Sequence, residues 1–185
     1  MAIELIDRAD FDRRIELREV AVHESGHAHI AQNVFGCALR ELYVRGNGSG
    51  LTTISRPQSV TLDQRAQIVL AGGCAAYRFY EPGRRAGKKS SNIADYWGAD
   101  DYAVLESLAK DAASTEFDQA DWLWRQVAET HRLVKREWSP IKALAREIIA
   151  RGGVYLIETM PRPKPSRALL DRAMEMVWGS GQIYP

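Results

Sequence analysis

The chain carries His-Glu-Ser-Gly-His at residues 23–27, inside a stretch, 18–35, whose spacing of apolar residues predicts one amphipathic helix. Residues four apart lie on one face of a helix, so His23 and His27 can direct two imidazole nitrogens at a single metal ion. The carboxylate of Glu24 then projects beside that ion. This pattern is typical of a metal-binding helix, and we expect the rest of the fold to be built around it.

The flanking residues favour the same helix. Glu16 and Glu19 suit the positive end of its dipole, and Gly36 offers a stop. The alternative to a metal site is two histidines whose ring nitrogens are satisfied by hydrogen bonds in the core. His29 is not part of the pair, because a residue two positions after the second histidine points to nearly the opposite side of the helix. His131 lies in a distant charged segment, where we expect a solvated or capping role.

Two short strands are predicted after this helix. Residues 39–44 alternate apolar and polar side chains, residues 46–50 form a glycine-rich turn, and residues 51–55 can return as a second strand. A second helix is then predicted over residues 61–80, with a Thr N-cap and a Gln at the capping-box position. Its small residues, 71–76, permit close contact, so we expect this helix to pack under the metal site, with a structural role for its two glycines.

The remainder is predicted to be mostly helical. Residues 81–91 are rich in Gly, Arg and Lys and indicate an exposed loop, whose basic residues are expected to be solvated rather than to form a binding patch. Asp100 and Asp101 precede an apolar periodic run, which places them near a helix start. Further helices are predicted over residues 116–137, with its tryptophans in the core, and over residues 140–150.

These elements predict a mainly α protein of the α+β type with a small β-hairpin or sheet edge. A chain of 185 residues with 45% hydrophobic composition can bury one sizeable core. We assign residues 1–160 to one domain and residues 161–185 to a Pro-rich linker followed by a C-terminal helix or tail.

Composition limits the partners and the compartment. The net charge is only +1, so no global field attracts nucleic acid or a membrane surface. The longest nearly apolar run, residues 68–77, is far shorter than the roughly 20 residues of a membrane helix, and no signal-peptide pattern is present. Cys37 and Cys74 lack a C-x-x-C partner and are interpreted as small buried hydrophobes. We therefore expect a soluble, cytoplasmic protein.

A catalytic zinc site usually takes three protein ligands and leaves one position to water, so two helical histidines need one further ligand. A third His six residues beyond the second is absent, because position 33 is Asn, and no Asn-Glu motif follows on a later helix. The remaining acids in suitable surroundings are Asp95, Asp100 and Asp101. The residues by themselves leave these three open.

Residues 21–28 read Ala-Val-His-Glu-Ser-Gly-His-Ala, and weaker motifs follow at residues 42–53, 68–76 and 98–102. In this order they resemble the FtsH-type zinc metalloproteases, in which the first motif is Ala-Tyr-His-Glu-Ala-Gly-His-Ala. The last segment, Gly-Ala-Asp-Asp-Tyr, is similar to the family's Gly-Ala-x-Asn-Asp-Leu, whose final Asp is the third zinc ligand. The resemblance therefore implies Asp101 as the third ligand here.

The resemblance implies a helical FtsH-like metallopeptidase domain and the chemistry of a zinc endopeptidase. Zn²⁺ is expected on His23, His27 and Asp101. Glu24 is expected to take a proton from the zinc-activated water and to pass it to the leaving amine. The expected partner is a flexible polypeptide substrate, since no ATPase module is evident. Residues 43–45 could pair with an extended substrate or simply form a core strand.

Two other interpretations stay open. A catalytically silent binding or adaptor protein on the peptidase fold is favoured by Tyr77 and Arg78, which stand where the family has two glutamates, and by the lack of an evident ATPase module. Cys74, in place of the family's Arg, is a further departure. Against it, Glu24 is intact, and a purely structural zinc site has no need of a base. Alternatively, the chain works with a separate ATPase or forms a homo-oligomer, because the family it resembles is hexameric.

Overall fold

The structure is a computed structural model that describes residues 8–45, 48–55, 59–80, 93–151 and 154–156, with side chains from residue 15 to residue 151. Within these ranges the chain forms five α-helices and one small antiparallel sheet, so the predicted mainly α fold is confirmed. The helices are α1 (Arg8–His29), α2 (Leu62–Phe79), α3 (Ala99–Ala112), α4 (Glu116–Arg136) and α5 (Trp138–Ala150). The strands are β1 (Ala38–Val44), β2 (Gly50–Ser55) and β3 (Val154–Leu156).

Some predictions fall outside the described residues. These are the basic loop at 81–91 and the linker and helix within 161–185, so the division into a domain and a C-terminal tail stays a prediction. Among the helices that are described, none combines the length and the apolar character needed to cross a lipid bilayer.

Helix α1 lies at the centre of the fold. It begins well before residue 18, and a π-helical segment, Ile30–Val34, continues it. Almost every side chain from residue 21 to residue 31 is buried, with His23 partly exposed. The prediction of an amphipathic helix is wrong for this stretch, because α2, α5 and the sheet all pack against α1 and leave it no solvent face.

Small residues bring α1 and α2 together beside the histidines. A Cβ atom on Gly26 would lie 2.5 Å from the backbone oxygen of Ala71, so the two backbones come close to each other at this crossing. The predicted capping box at the start of α2 is present: Thr61 Oγ1 accepts from the Gln64 N–H at 3.2 Å, and Gln64 Oε1 accepts from the Thr61 N–H at 3.0 Å. Helix α2 thus starts where predicted and packs beneath the stretch of α1 that carries His23 and His27.

The sheet has the order β2-β1-β3. The predicted hairpin of β1 and β2 is confirmed, with Tyr43 opposite Leu51, but β3 was not predicted and places Val154 opposite Tyr43 on the other side. Both edges of β1 are therefore paired at Tyr43. The proposed pairing of a substrate with residues 43–45 is wrong at this position. Among the described residues, the outer edges of β2 and of β3 are the ones left without a further strand.

The interior divides into two hydrophobic clusters. The larger one gathers residues chiefly from α1, α2, β1 and α5, including Leu42, Ile141 and Ile148. The smaller one joins α2, α3 and α4 through residues such as Leu70 and Leu105. Helix α2 contributes to both clusters and connects them.

The predictions for tryptophan and cysteine had different outcomes. Trp122 is buried in the smaller cluster and donates from Nε1 to Asp63 Oδ1 at 2.8 Å. Trp124 is 59% exposed, so the prediction that it fills the core is wrong, since positions two apart on a helix face different sides. Cys37 and Cys74 are both buried, as predicted.

Candidate metal centre

The two histidines of the His-Glu-x-x-His motif face each other across one turn of α1. Their Nε2 atoms lie 3.0 Å apart, and the rings meet edge to face with centroids 4.7 Å apart. Gly72 of α2 makes room for them, because a Cβ atom there would lie 2.2 Å from Nε2 of His27 and 2.7 Å from Nε2 of His23. Both nitrogens therefore converge on one place, as the spacing of the motif predicts.

The backbone of α2 orients His27. Nδ1 of His27 lies 2.8 Å from the carbonyl oxygen of Ile68. Since a carbonyl only accepts, Nδ1 must carry the hydrogen and donate it. In the neutral ring, Nε2 then has a free lone pair on the side that faces His23. Metal-binding histidines commonly use their second nitrogen in this way, and the bond sets both the tautomer and the direction of the ring.

Asp101 completes a triangle with the histidines. Its Oδ2 atom lies 3.0 Å from Nε2 of His23 and 3.5 Å from Nε2 of His27. Asp101 belongs to the first turn of α3, where the same oxygen accepts a hydrogen bond from the N–H of Gly98 at 3.4 Å. The potential ligand atoms of the three residues all lie within 4.8 Å of one another. We refer to His23, His27 and Asp101 as the triangle.

The other two acids considered from the sequence do not join the triangle. Asp100 and Asp95 are both exposed. Asp100 lines the cavity in front of the histidines, and Asp95 lines a neighbouring one. Of the three candidates, the structure brings Asp101 within reach of both imidazoles.

The dimensions of the triangle suit a zinc ion. Zinc binds nitrogen and oxygen at about 2.0–2.1 Å in tetrahedral geometry, which separates two ligand atoms by about 3.3 Å. The three observed separations, 3.0, 3.0 and 3.5 Å, bracket that value. Two imidazoles and one carboxylate would fill three of the four positions around a zinc ion and leave the fourth open. Catalytic zinc sites have such a set of ligands, whereas structural sites have four protein ligands.

The electrostatics of the triangle favour a positive charge. Burial lowers the pKa of His27, but the hydrogen bond and the negative charge of Asp101 more than offset it and raise the pKa to about 9. Burial likewise raises the pKa of Asp101, and the two histidines overcome that effect and hold it well below its usual range. A divalent cation would satisfy the same demand without a proton.

Glu24 lies beside the triangle and is held by the β1–β2 hairpin. Its side chain is buried, and Oε2 accepts a hydrogen bond from Thr52 Oγ1 at 2.6 Å. Gly50 lies against the same carboxylate, since a Cβ atom there would be 2.6 Å from Oε1. Glu24, the two histidines and Asp101 all line one cavity of about 350 Å³. An acid that can exchange a proton therefore faces the same space as the three potential ligands.

The cavity is part of a longer cleft. A second cavity, of about 380 Å³, adjoins the first, because both are lined by His23, Glu24, Gly50 and Gly98. The two cavities therefore meet beside the triangle. The first cavity has a largely apolar lining contributed by β2, α2 and α3, namely Leu51, Ile54, Ile68, Val69 and Val104.

The remaining two histidines lie away from the triangle. Nε2 of His29 donates to Glu137 Oε2 at 3.2 Å, and its Nδ1 accepts from Asn33 Nδ2 at 3.1 Å. His131 is half-buried on α4, with its ring 6.3 Å from the ring of Tyr77. The exclusion of His29 from the metal pair is thus supported, whereas His131 packs against a neighbour rather than being fully solvated.

The sequence did not reveal what holds Glu24 and His27. Thr52 is 28 positions from Glu24, and the oxygen that orients His27 belongs to a backbone group, which has no residue signature. One signal was available. Gly50 ends the predicted turn and Thr52 lies two residues later on the predicted second strand, so in an extended chain the two share a face that can cover a neighbouring helix.

Neither a protein-family model nor a curated protein matches this chain. The similarity of residues 21–28 to the FtsH-type enzymes therefore remains an expectation, and the case for a function comes from the residues of the cleft.

Proposed function

We propose that this protein is a zinc-dependent metalloendopeptidase that hydrolyses peptide bonds of polypeptide substrates. One observation carries the proposal: two imidazoles and a carboxylate converge beside a buried Glu24 that lines the same cavity. The donor set matches a site with a free position, and the acid next to it is the group that hydrolysis of an amide requires.

Each residue has a defined task. His23, His27 and Asp101 hold the ion, which when bound supplies a Lewis acid that acidifies water and polarises a carbonyl. Glu24 accepts the proton that water loses as its oxygen attacks the carbonyl carbon. The same carboxyl group then gives that proton to the amide nitrogen as the C–N bond breaks, so that a carboxylate and an amine leave.

The outer edge of β2 is the natural place for the substrate. Gly50, Leu51 and Thr52 line the cleft, and no strand among the described residues pairs with that edge. An extended peptide can add to such an edge through backbone hydrogen bonds, which hold it in place without selecting a particular sequence. This replaces the earlier expectation for residues 43–45.

The adaptor alternative predicts the same fold without turnover. It is disfavoured by the shape of the site, because a structural zinc ion normally has four protein ligands, and the group in the described part of the chain has three. The departures at Cys74, Tyr77 and Arg78 do not touch the triangle, since none of these residues lines the cleft. They therefore offer no reason for loss of activity.

Turnover of a fluorogenic peptide or casein by zinc-loaded protein tests the proposal. We expect hydrolysis that a chelator abolishes and that Glu24→Gln lowers by about 10²- to 10⁴-fold, the usual contribution of a general acid–base group. Glu24→Gln should retain its zinc.

Elemental analysis supplies the matched control. Asp101→Asn should lower zinc content, whereas Asp100→Asn should leave it unchanged, because Asp100 lies one residue away but outside the triangle. Hydrolysis that survives both the chelator and Glu24→Gln would exclude the metallopeptidase. Zinc retention by Asp101→Asn would exclude this ligand set.

A further inference from the structure

The hydroxyl of Thr52 makes the shortest described contact to the carboxylate of Glu24. Thr52 Oγ1 lies 2.6 Å from Glu24 Oε2 and 3.1 Å from the backbone oxygen of Glu24. A hydroxyl has one proton to donate. The bond to the carboxylate oxygen is the shorter, at 2.6 Å against 3.1 Å, so it is the stronger of the two.

Gly50 packs against the side chain of Glu24 near the other carboxylate oxygen, Oε1. Residues two apart on a strand point to the same face of the sheet, so Gly50 and Thr52 both face the helix that carries Glu24. A Cβ atom at Gly50 would lie 2.6 Å from Cγ and from Oε1 of Glu24. The carboxylate thus lies in a slot with the glycine backbone along one oxygen and the threonine hydroxyl on the other.

We propose that Thr52 is a positioning residue that holds Glu24 through one carboxylate oxygen and leaves the other free for the proton of the attacking water. This inference rests on the proposed peptidase function. Before proton transfer Thr52 donates to Oε2, and after it the proton resides on Oε1 while the bond to Oε2 persists. The group therefore keeps its place while the proton moves from water to the leaving nitrogen.

The placement of Thr52 has a second consequence. It lies on β2, the strand whose outer edge is proposed to pair with substrate, and its hydroxyl reaches the base. The strand that aligns the scissile bond therefore also aligns Glu24, so their relative position depends on one element. Small misplacements in such an arrangement lower kcat much more than they change binding.

Three variants of the zinc-loaded protein test the role. Thr52→Val keeps the branched shape but removes the hydroxyl, and we expect kcat to fall on the order of tenfold with KM changed less than about twofold. Thr52→Ser restores the hydroxyl and should recover kcat to within about threefold. Thr53→Val is the matched control, since the next residue on the strand faces the opposite side of the sheet and should leave kcat unchanged.

Thermal unfolding of the metal-free protein gives a readout that does not depend on turnover. Thr52→Val should lower Tm by about 2–4 °C in the wild-type background and by less in a Glu24→Ala background, because the carboxylate is then gone and only the longer contact to the backbone oxygen of residue 24 remains. Equal shifts in both backgrounds would show that the bond to Glu24 is absent and overturn the proposal.

The kinetic outcomes separate this inference from the function beneath it. An inactive zinc-loaded wild type would end the peptidase proposal and the role of Thr52 with it. An active wild type with a normal kcat in Thr52→Val, or with equal losses in Thr52→Val and Thr52→Ser, would overturn only the role of Thr52. Equal losses in Thr52→Val and Thr53→Val would do the same, since they would indicate a general effect on the strand.

Discussion

His27 and His29 lie two residues apart on the same helix and are similarly buried, at 7% and 8% exposure, yet their surroundings differ in kind. Both ring nitrogens of His29 have a complementary hydrogen-bond partner: Asn33 donates to Nδ1, and Nε2 donates to the Glu137 carboxylate. Around His27 only Nδ1 is satisfied in this way, by the Ile68 carbonyl. Its Nε2 meets a second imidazole and a carboxylate.

The difference lies in the balance of donors and acceptors. The cluster at His29 is complete as it stands and is bounded by α4 and α5. The triangle brings two imidazoles and a carboxylate to one place that favours a positive charge, whether a proton on His27 or a cation, and it opens on a cavity. Burial and residue type are the same at both places. What distinguishes a potential ligand from a structural histidine is therefore what its second nitrogen faces.

Substitution of each histidine gives the largest expected contrast. His27→Ala should reduce zinc from about one ion per chain to near zero and abolish peptide turnover, because it removes a ligand. His29→Gln should keep both, since its amide can still donate to Glu137 and no ligand is lost. Elemental analysis of the purified variants measures the contrast. Equal metal content in the two would mean that the two histidines do not differ as described.

A smaller effect is expected when the space around the triangle is filled and its ligands are left intact. In Gly72→Ala, the new Cβ atom would meet Nε2 of His27 at 2.2 Å, so we expect zinc affinity to fall by roughly tenfold to a hundredfold. Gly73→Ala is the control, because its Cβ atom would meet Trp97 Cδ1 at 2.1 Å instead. It should lower Tm but leave the zinc affinity of the folded protein unchanged. Unaltered affinity in Gly72→Ala would contradict the tight fit.

The smallest effect should come from the pH dependence of stability. The stabilisation from the His29–Glu137 pair should be lost in acid, whereas that from the triangle should be lost in alkali. Hydrogen bonds from Arg136 and from His29 lower the pKa of Glu137 below its usual 4.5. The folded protein therefore binds this proton less well than the unfolded chain, so the contribution is present above pH 4.5 and is lost as the pH falls through the folded pKa. Glu137→Gln should lower the free energy of unfolding by about 1 kcal/mol at neutral pH. In acid the substitution should lower it less, because Glu137 is then protonated in the wild type as well.

The metal-free triangle should behave in the other direction. Because the pKa of His27 is raised from 6.5 to about 9, its contribution is present below pH 6.5 and is lost as the pH rises through 9. Denaturant titrations from about pH 2.5 to 10, with chelator present, measure both the loss of stability in acid and the loss in alkali. A stability that stays flat above neutral pH in chelator would contradict the electrostatics assigned to the triangle.

Local patterns predicted a large part of this molecule. The spacing of His23 and His27, the capping box at Thr61 and the pairing of β1 with β2 are all set by residues close to one another in the sequence. The structure has each of them where the sequence indicated. These features depend on helix and strand periodicity, which a single sequence displays directly.

The contacts between distant segments were less accessible. Asp101 is 78 positions from His23, and from the residues alone it could not be separated from Asp95 and Asp100; only a family resemblance selected it. Strand β3 was not anticipated, and it pairs with the edge of β1 that the predicted hairpin leaves open. Such pairings depend on how packed elements meet, which no local pattern records.

The triangle also spans the two hydrophobic clusters of the fold. The histidines lie on α1, which packs in the larger cluster, while Asp101 lies in the first turn of α3, which packs in the smaller one. An ion bound there would link α1 to α3 and so connect the two clusters, in addition to the connection that α2 makes through the interior. Metal binding would then stabilise the packing of α3 against the rest of the fold. When the metal is removed, local unfolding would begin at α3.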